Sequence, residues 1–244
     1  MRFSGIFNFR DLGGHLTADG RRVAPGRLFR SDGLFRLDAD ERVRLGALGI
    51  RTVLDLRRPD EIVVDGRFPE TAGVQYHHVN LDVAPWQHAE EPVDVAGYLA
   101  GQYVNMAEAG LVGSAAAQGP IGRCLRLLAE AEAAPLVFHC AIGKDRTGVL
   151  AALTLSLLGV ADDVIAEDYG RSSEGLRRFY RYLRDRKGDT RPLSAWEKEP
   201  APPEAILLFL MELRVRHGSV EEYAARAGVD NSHVEALRSG LLEG

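Results

Sequence analysis

The stretch "PLVFHCAIGKDRTGVLAALTLSLLG" occupies residues 135–159. Its first six residues form an apolar run ending in His139 and Cys140, which predicts a buried strand. A short loop holding Gly143, Lys144, Asp145 and Arg146 follows. From Asp145 the apolar residues keep helical spacing until Gly159 stops them. The unit is therefore a strand–loop–helix turn. A cysteine closes the strand and an arginine stands six residues later, at the mouth of the helix.

The same alternation runs through the chain. Strands are predicted at 26–31, 50–57 and 74–80, with a helix at 38–48 between the first two. Residues 80–97 lack a clear period and read as a loop. Helices fit 98–109, 120–133, 161–169 and 174–187. A Pro-rich connector at 188–203 leads to further helices at 203–217, 219–227 and 231–242. Strands alternating with helices predict an α/β fold: a central, mostly parallel sheet flanked by helices, with the additional C-terminal helices packed on it. Residues 1–244 are expected to form one domain. Ligands of such sheets bind beyond the carboxyl ends of the strands, where Cys140, Asp55 and Arg57 all fall.

The 244 residues suffice for a sizeable core, and 45% hydrophobic with 27% charged residues is ordinary for a globular chain. A net charge of −5 gives no general attraction to nucleic acid or an acidic membrane. Two cysteines, Cys124 and Cys140, make no disulfide framework, and Cys124 reads as core. No secretory apolar region opens the sequence, and the run "LAALTLSLLG" is too short to span a bilayer, so no membrane insertion is expected. The expected setting is reducing and cytoplasmic, with signal-less export left open. The sequence gives no reading of oligomeric state.

The turn has a chemical use. Successive backbone N–H groups over Ala141, Ile142, Gly143, Lys144 and Asp145 face one concavity, and the helix N-terminus adds free donors and positive potential. A tetrahedral oxyanion such as phosphate fits that nest. Arg146 can grip two of its oxygens with a planar fork. The field that holds an anion also favours a thiolate at the bottom of the nest, where Cys140 sits. Thr147 is placed to donate its hydroxyl to that sulfur. Attack on phosphorus would give a phosphocysteine that water hydrolyses, and nothing in this chemistry requires a metal or a cofactor. The leaving oxygen needs a proton, for which Asp145, Asp82 and Asp55 are candidates, Asp55 serving rather to orient the loop or Arg146.

"HCAIGKDRTG" resembles the Cys-x5-Arg signature of the protein tyrosine phosphatases. "NFRDLGG" (8–14), "GRLFRSDGL" (26–34), "LGIRTVLDLRRPDE" (48–61), "DYGRSSE" (168–174) and residues 223–242 look like the bacterial tyrosine/dual-specificity branch with a Lys-Asp-Arg loop. The resemblance covers most of the chain and is weakest over 80–120. It implies the cysteine-phosphatase fold. It implies Cys140 as nucleophile, Arg146 as transition-state clamp, Asp145 as the favoured acid and His139 as support behind the loop. It implies Lys144 as a charge at the rim that admits phosphotyrosine, phosphoserine/threonine and phosphoinositide substrates.

Plainer readings stand beside these. His77 and His78 are consecutive on a strand, point to opposite faces and make a poor metal pair, even with His88. "RRFYRYLRDRK" (177–187) reads as a solvated helix face over buried Phe179 and Leu183, or as a rim for acidic groups. The C-terminal pair of helices has a helix–turn–helix look. Its acids Glu221, Glu222, Asp230, Glu235 and Glu243 outnumber Arg226 and Arg238, so no nucleic-acid partner is expected. Two other functions fit an anion-binding cysteine loop: a catalytically weak reader of phosphorylated residues, and a rhodanese-like sulfurtransferase. Arg146 followed by Thr147 at this spacing favours phosphate over the second.

Overall fold

The computed structural model describes residues 3–81, 94–109, 111, 119–188 and 201–244. Three of its strands are buried along their whole length: β3 (Leu28–Ser31), β4 (Thr52–Asp55) and β6 (Leu136–His139). They pair in parallel with β5 (Gln75–His78), and β1 (Arg10–Asp11) adds an antiparallel edge, giving the order β1-β3-β6-β4-β5. Ser31 and Asp55 both align with His139, so the carboxyl ends of the three central strands open at one level. β2 (Arg22–Val23) pairs apart from this sheet with β7 (Leu242–Glu243).

Alternate strand residues enter opposite faces, and here both faces are covered. Phe29, Val53 and Val137 pack with Phe3, Ile6 and Leu45 of the N-terminal segment and α1 (Ala39–Gly46). Leu28, Leu54 and Phe138 pack with the larger core of helices on the other face. Those helices are α3 (Val95–Glu108), α4 (Pro120–Ala129), α5 (Asp145–Leu157), α6 (Asp162–Gly170), α8 (Glu204–His217), α9 (Val220–Arg226) and α10 (Asn231–Leu241). α2 (Pro59–Asp65) follows β4, and α7 (Ser172–Lys187) follows α6.

The α/β reading of the sequence stands, with changes at the edges. The strand expected at 50–57 is shorter, because beyond Asp55 the chain turns to place Arg57 under the sheet end. α2 was not expected. It begins with Pro59 at its first position and carries Asp60 and Glu61 in its first turn, a favourable helix start on too short a run to show periodicity. α4 ends at Ala129 rather than 133, because its C-cap residue Glu130 already takes an extended conformation. α3 starts at Val95, capped by Asp94, where the sequence read as a loop. Phe179 and Leu183 are half-buried, not buried. Most of the Pro-rich connector lies outside the described residues. No helix among the described residues is long and apolar enough to cross a membrane.

The C-terminal helices spend their apolar faces on packing. Tyr223 of α9 and Leu237 of α10 are fully buried, and Arg126 of α4 donates to the carbonyls of Ala227 and Gly228 between them. Gly122 lets this turn approach, since a Cβ there would stand 1.9 Å from the Ala227 oxygen. A backbone oxygen cannot rotate away. Gly122→Ala should therefore cost roughly 1–3 kcal/mol in overpacking, more than the ~1 kcal/mol gained in helix propensity. The expected result is a lower urea midpoint at unchanged slope; a raised midpoint would show that the turn does not rest on α4.

Candidate active site

Cys140 follows β6 directly and is buried. The loop after it curls so that the Gly143 N–H donates to Cys140 Sγ at 3.3 Å. Gly143 has φ +69°, and a Cβ there would lie 2.5 Å from the Ser31 oxygen. Only glycine accepts both conditions. The Gly143 carbonyl points the other way, taking bonds of 2.9 Å from Asn8 Nδ2 and from Arg30 Nη2. Asn8 also reaches the Ile142 carbonyl at 3.4 Å, and Gly33 N–H bonds the Ala141 carbonyl at 3.1 Å.

Behind Gly143 lies a buried ionic triad. Asp168 of α6 accepts from Arg30 Nη1 and Arg10 Nε, each at 2.7 Å. Burial alone would raise the Asp168 carboxyl, but the two guanidinium groups hold it well below the usual carboxylate range. A second cluster lies on the other side. Asp55 accepts from Arg57 Nε at 3.0 Å, Arg57 Nη2 at 2.7 Å and the Tyr76 hydroxyl at 2.9 Å. Its Oδ2 also lies 3.7 Å from His139 Nε2. Burial opposes ionisation of Asp55, yet His139, protonated at the acidic pH where this carboxyl titrates, and Arg57 outweigh it and hold the carboxyl at about 2. Burial also lowers the His139 pKa, which keeps the ring neutral near pH 7.

Arg146 opens α5 with its guanidinium engaged end-on by Glu61 of α2, Nη1 to Oε2 at 2.5 Å and Nη2 to Oε1 at 2.9 Å. Of the two roles expected for Asp55, orienting the loop or Arg146, the second is corrected here. Asp55 is filled by Arg57, and Glu61 takes the place. The sequence offered a signal in the acid-rich first turn of "RPDEI", but nothing local says which arginine it meets.

Lys144 is likewise corrected: it is buried rather than at the rim, with Nζ 3.2 Å from Asp145 Oδ1. Asp145 Oδ1 accepts a second bond, from the Tyr103 hydroxyl of α3 at 2.7 Å. The Thr147 hydroxyl, expected to donate to sulfur, is buried with no hydrogen-bond partner among the described residues. Gly143 N–H makes the bond to sulfur instead. Asp82 and His88 lie outside the described residues. His78 is occupied with the Arg57 carbonyl at 2.7 Å, and His77 faces Gln75 at 3.4 Å.

The arrangement can hold a tetrahedral anion over a sulfur nucleophile. The Gly143 N–H faces the sulfur, and the N-terminus of α5, with Arg146 in its first turn, follows the loop.

If Asp55 stays ionised because Arg57 and His139 hold it, acid should weaken the fold. A carboxyl moved from 3.8 to about 2 contributes roughly 2 kcal/mol at neutral pH. That contribution is complete above about pH 4 and disappears as pH falls toward 2. Urea unfolding from pH 7 to 2 should show Asp55→Asn less stable than the parent at pH 7 and flatter between pH 4 and 2. Parallel curves would refute the assignment.

A model of the tyrosine phosphatase family matches residues 1–243. A Cupriavidus necator protein assigned as a tyrosine-protein phosphatase is 35% identical over 195 residues, covering 73% of this chain and 65% of that protein. The triple specificity protein phosphatase PtpB of Mycobacterium tuberculosis is 34% identical over 197 residues, covering 70% of this chain and 68% of its own length. A tyrosine-protein phosphatase of Nostoc commune is 29% identical over 154 residues, 60% of this chain and 48% of that one. The chain thus matches about two thirds or less of the length of these relatives.

Proposed function

The chain belongs to the tyrosine phosphatase family, and from that premise we propose that it hydrolyses phosphomonoesters through a phosphocysteine. The observation that carries this reading is the Gly143 N–H aimed at Cys140 Sγ, with Arg146 in the first turn of the next helix.

In the first step Cys140 Sγ attacks phosphorus. The S–P bond forms as the bond to the leaving oxygen breaks. The electron pair stays on that oxygen, which takes a proton from Asp145. In the second step water attacks phosphorus and gives a proton to Asp145. The S–P bond breaks, its electrons return to sulfur, and inorganic phosphate departs. Loop N–H groups and Arg146 carry the charge of the transferring phosphoryl group. Glu61 grips Arg146 by its two terminal nitrogens. A guanidinium has five N–H donors, and the two bonds to Glu61 use two of them. Glu61 is thus an orienting partner.

Asp145 is favoured as the proton carrier by elimination among the described carboxylates around the loop. Asp55, Glu61 and Asp168 are each claimed by guanidinium groups. Asp145 Oδ2 has no partner among the described residues. The substrate class follows the relatives: phosphotyrosine first, with phosphoserine/threonine and phosphoinositides admitted. The triple specificity named for PtpB supports that breadth.

The test is phosphate release, with chelator present, from an aryl phosphate, phosphotyrosine and phosphoserine peptides and phosphoinositides. Cys140→Ser should lose roughly 10³-fold or more of the wild-type rate. Tight binding of phosphopeptide without release by the wild type would point to the reader instead. Transfer from thiosulfate to cyanide would point to a sulfurtransferase.

Glu61→Gln keeps the shape of the pair and removes its charge. The expected effect is a kcat lower by about tenfold, since a misplaced clamp loses transition-state contacts. A higher kcat would show that Glu61 competes with phosphate rather than orienting Arg146.

A further inference from the structure

Two tyrosines outside the phosphate loop meet Asp145 from behind. Tyr103 lies on α3 and Tyr169 near the end of α6, and both are buried. The Tyr103 hydroxyl donates to Asp145 Oδ1 at 2.7 Å and lies 2.6 Å from the Tyr169 hydroxyl. A phenol has one proton to donate. Tyr103 gives its own to Asp145, so Tyr169 donates to Tyr103, and the chain of bonds runs Tyr169 to Tyr103 to Asp145.

The rings hold this chain in place. Tyr103 meets Tyr169 edge-on at 6.1 Å and Phe209 of α8 edge-on at 6.2 Å. The Tyr169 ring lies against α5 at Gly148, where a Cβ would come within 2.9 Å of it. Burial, and then the neighbouring Asp145 charge, raise both phenols far above their ordinary pKa, so both remain O–H donors at any working pH. Lys144 Nζ approaches the same Oδ1 at 3.2 Å. One carboxyl oxygen is thus fixed from two sides while the other has no partner among the described residues.

We propose that Tyr103, backed by Tyr169, is a positioning residue for proton transfer: it pins Asp145 Oδ1 so that Oδ2 carries the proton to the leaving oxygen. This rests on the reading of Asp145 as the proton carrier. Proton transfer requires an approach of roughly 2.6–3.2 Å between heavy atoms, and a carboxyl free to rotate in a first helical turn would meet that condition only part of the time. As the bond to the leaving oxygen breaks, the proton passes from Oδ2 to that oxygen. Asp145 becomes a carboxylate, and the Tyr103 O–H bond to it strengthens as charge develops. Tyr103 therefore matters most where the leaving oxygen most needs a proton.

The experiment compares p-nitrophenyl phosphate, whose phenolate leaves without a proton, with phenyl phosphate, whose phenolate does not leave readily. The full chain is used as wild type, Tyr103→Phe, Tyr169→Phe, Asp145→Asn and Tyr103→Phe/Asp145→Asn. Tyr103→Phe should lose about tenfold or more of kcat on phenyl phosphate and less than about twofold on p-nitrophenyl phosphate, with KM little changed. Tyr169→Phe, which keeps the direct bond and removes its backing, should show the same selectivity in smaller measure. The double variant should be no slower than Asp145→Asn alone. Equal loss on both substrates, or a further loss in the double variant, would mean that Tyr103 merely supports the loop, and would overturn the proposal. If Asp145→Asn itself treats the two substrates alike, the proton-carrier reading fails and the positioning role fails with it. Loss of all Cys140-dependent release in the wild type would sink the phosphatase reading instead, so the three failures are distinct.

Discussion

The bond from the Gly143 N–H to Cys140 Sγ depends on what happens to the same residue's carbonyl. A peptide in a tight loop can aim its N–H inward only if the oxygens around it are satisfied elsewhere. Gly143 has that outlet because Asn8 and Arg30 wait behind it. Arg30 is held by Asp168, and Asp168 by Arg10. The N-terminal strand β1, the central strand β3 and helix α6 therefore converge on one carbonyl. The positive φ and the close Ser31 oxygen exclude a side chain at this point. Sheet order matters for the same reason: with β3 beside β6, Ser31 and His139 end together and the loop has a wall to lean on.

Burying charge is expensive, and two ionic clusters are buried within reach of the loop. The triad of Arg10, Arg30 and Asp168 carries one net positive charge beneath the loop. The Asp55 and Arg57 pair is neutral, and burial keeps His139 uncharged. The surplus is thus positive, the sign that suits a phosphate dianion above. The cost shows in the polar atoms that burial leaves unpartnered among the described residues: Arg30 Nε, Ser31 Oγ, Arg57 Nη1, His139 Nε2 and Thr147 Oγ1. All five belong to residues in or beside the loop, where stability is set against function.

What was legible in the sequence follows from how local each cause is. The loop, its cysteine and arginine, and the helix after them are contiguous, so residues 135–159 carry their own pattern. β3, β4 and β6 were visible because strands covered on both faces carry mostly apolar runs. Short elements were not visible. β1, β2 and β7 span two residues each and exist only through their partners. The partners of charged groups were legible least. Nothing near Glu61 says that it meets Arg146, 85 residues away, and nothing near Tyr103 says that it meets Asp145, 42 residues on. Lys144 looked like a rim charge because lysine usually is one, and nothing local says that its side chain is buried with the ammonium on the carboxylate of the next residue. "NFRDLGG" and "DYGRSSE" resemble the family without showing locally what they hold. They contain Asn8, Arg10, Asp168 and Tyr169, which hold the loop and the tyrosine chain.

A division of labour among carboxylates emerges from these long-range pairings. A carboxylate that receives a guanidinium is fixed in charge and place, and serves to orient cations. Asp168 does this for Arg10 and Arg30, Asp55 for Arg57, and Glu61 for Arg146. Asp145 receives a neutral phenol and a single ammonium on one oxygen, and the other has no partner among the described residues. The difference lies in the donors. Guanidinium forks occupy both oxygens, whereas a phenol and an amine meeting at one oxygen do not. By giving arginines to three acids and a tyrosine to the fourth, the fold sets Asp145 apart, and on the proposal made for it that difference separates orienting acids from the proton carrier.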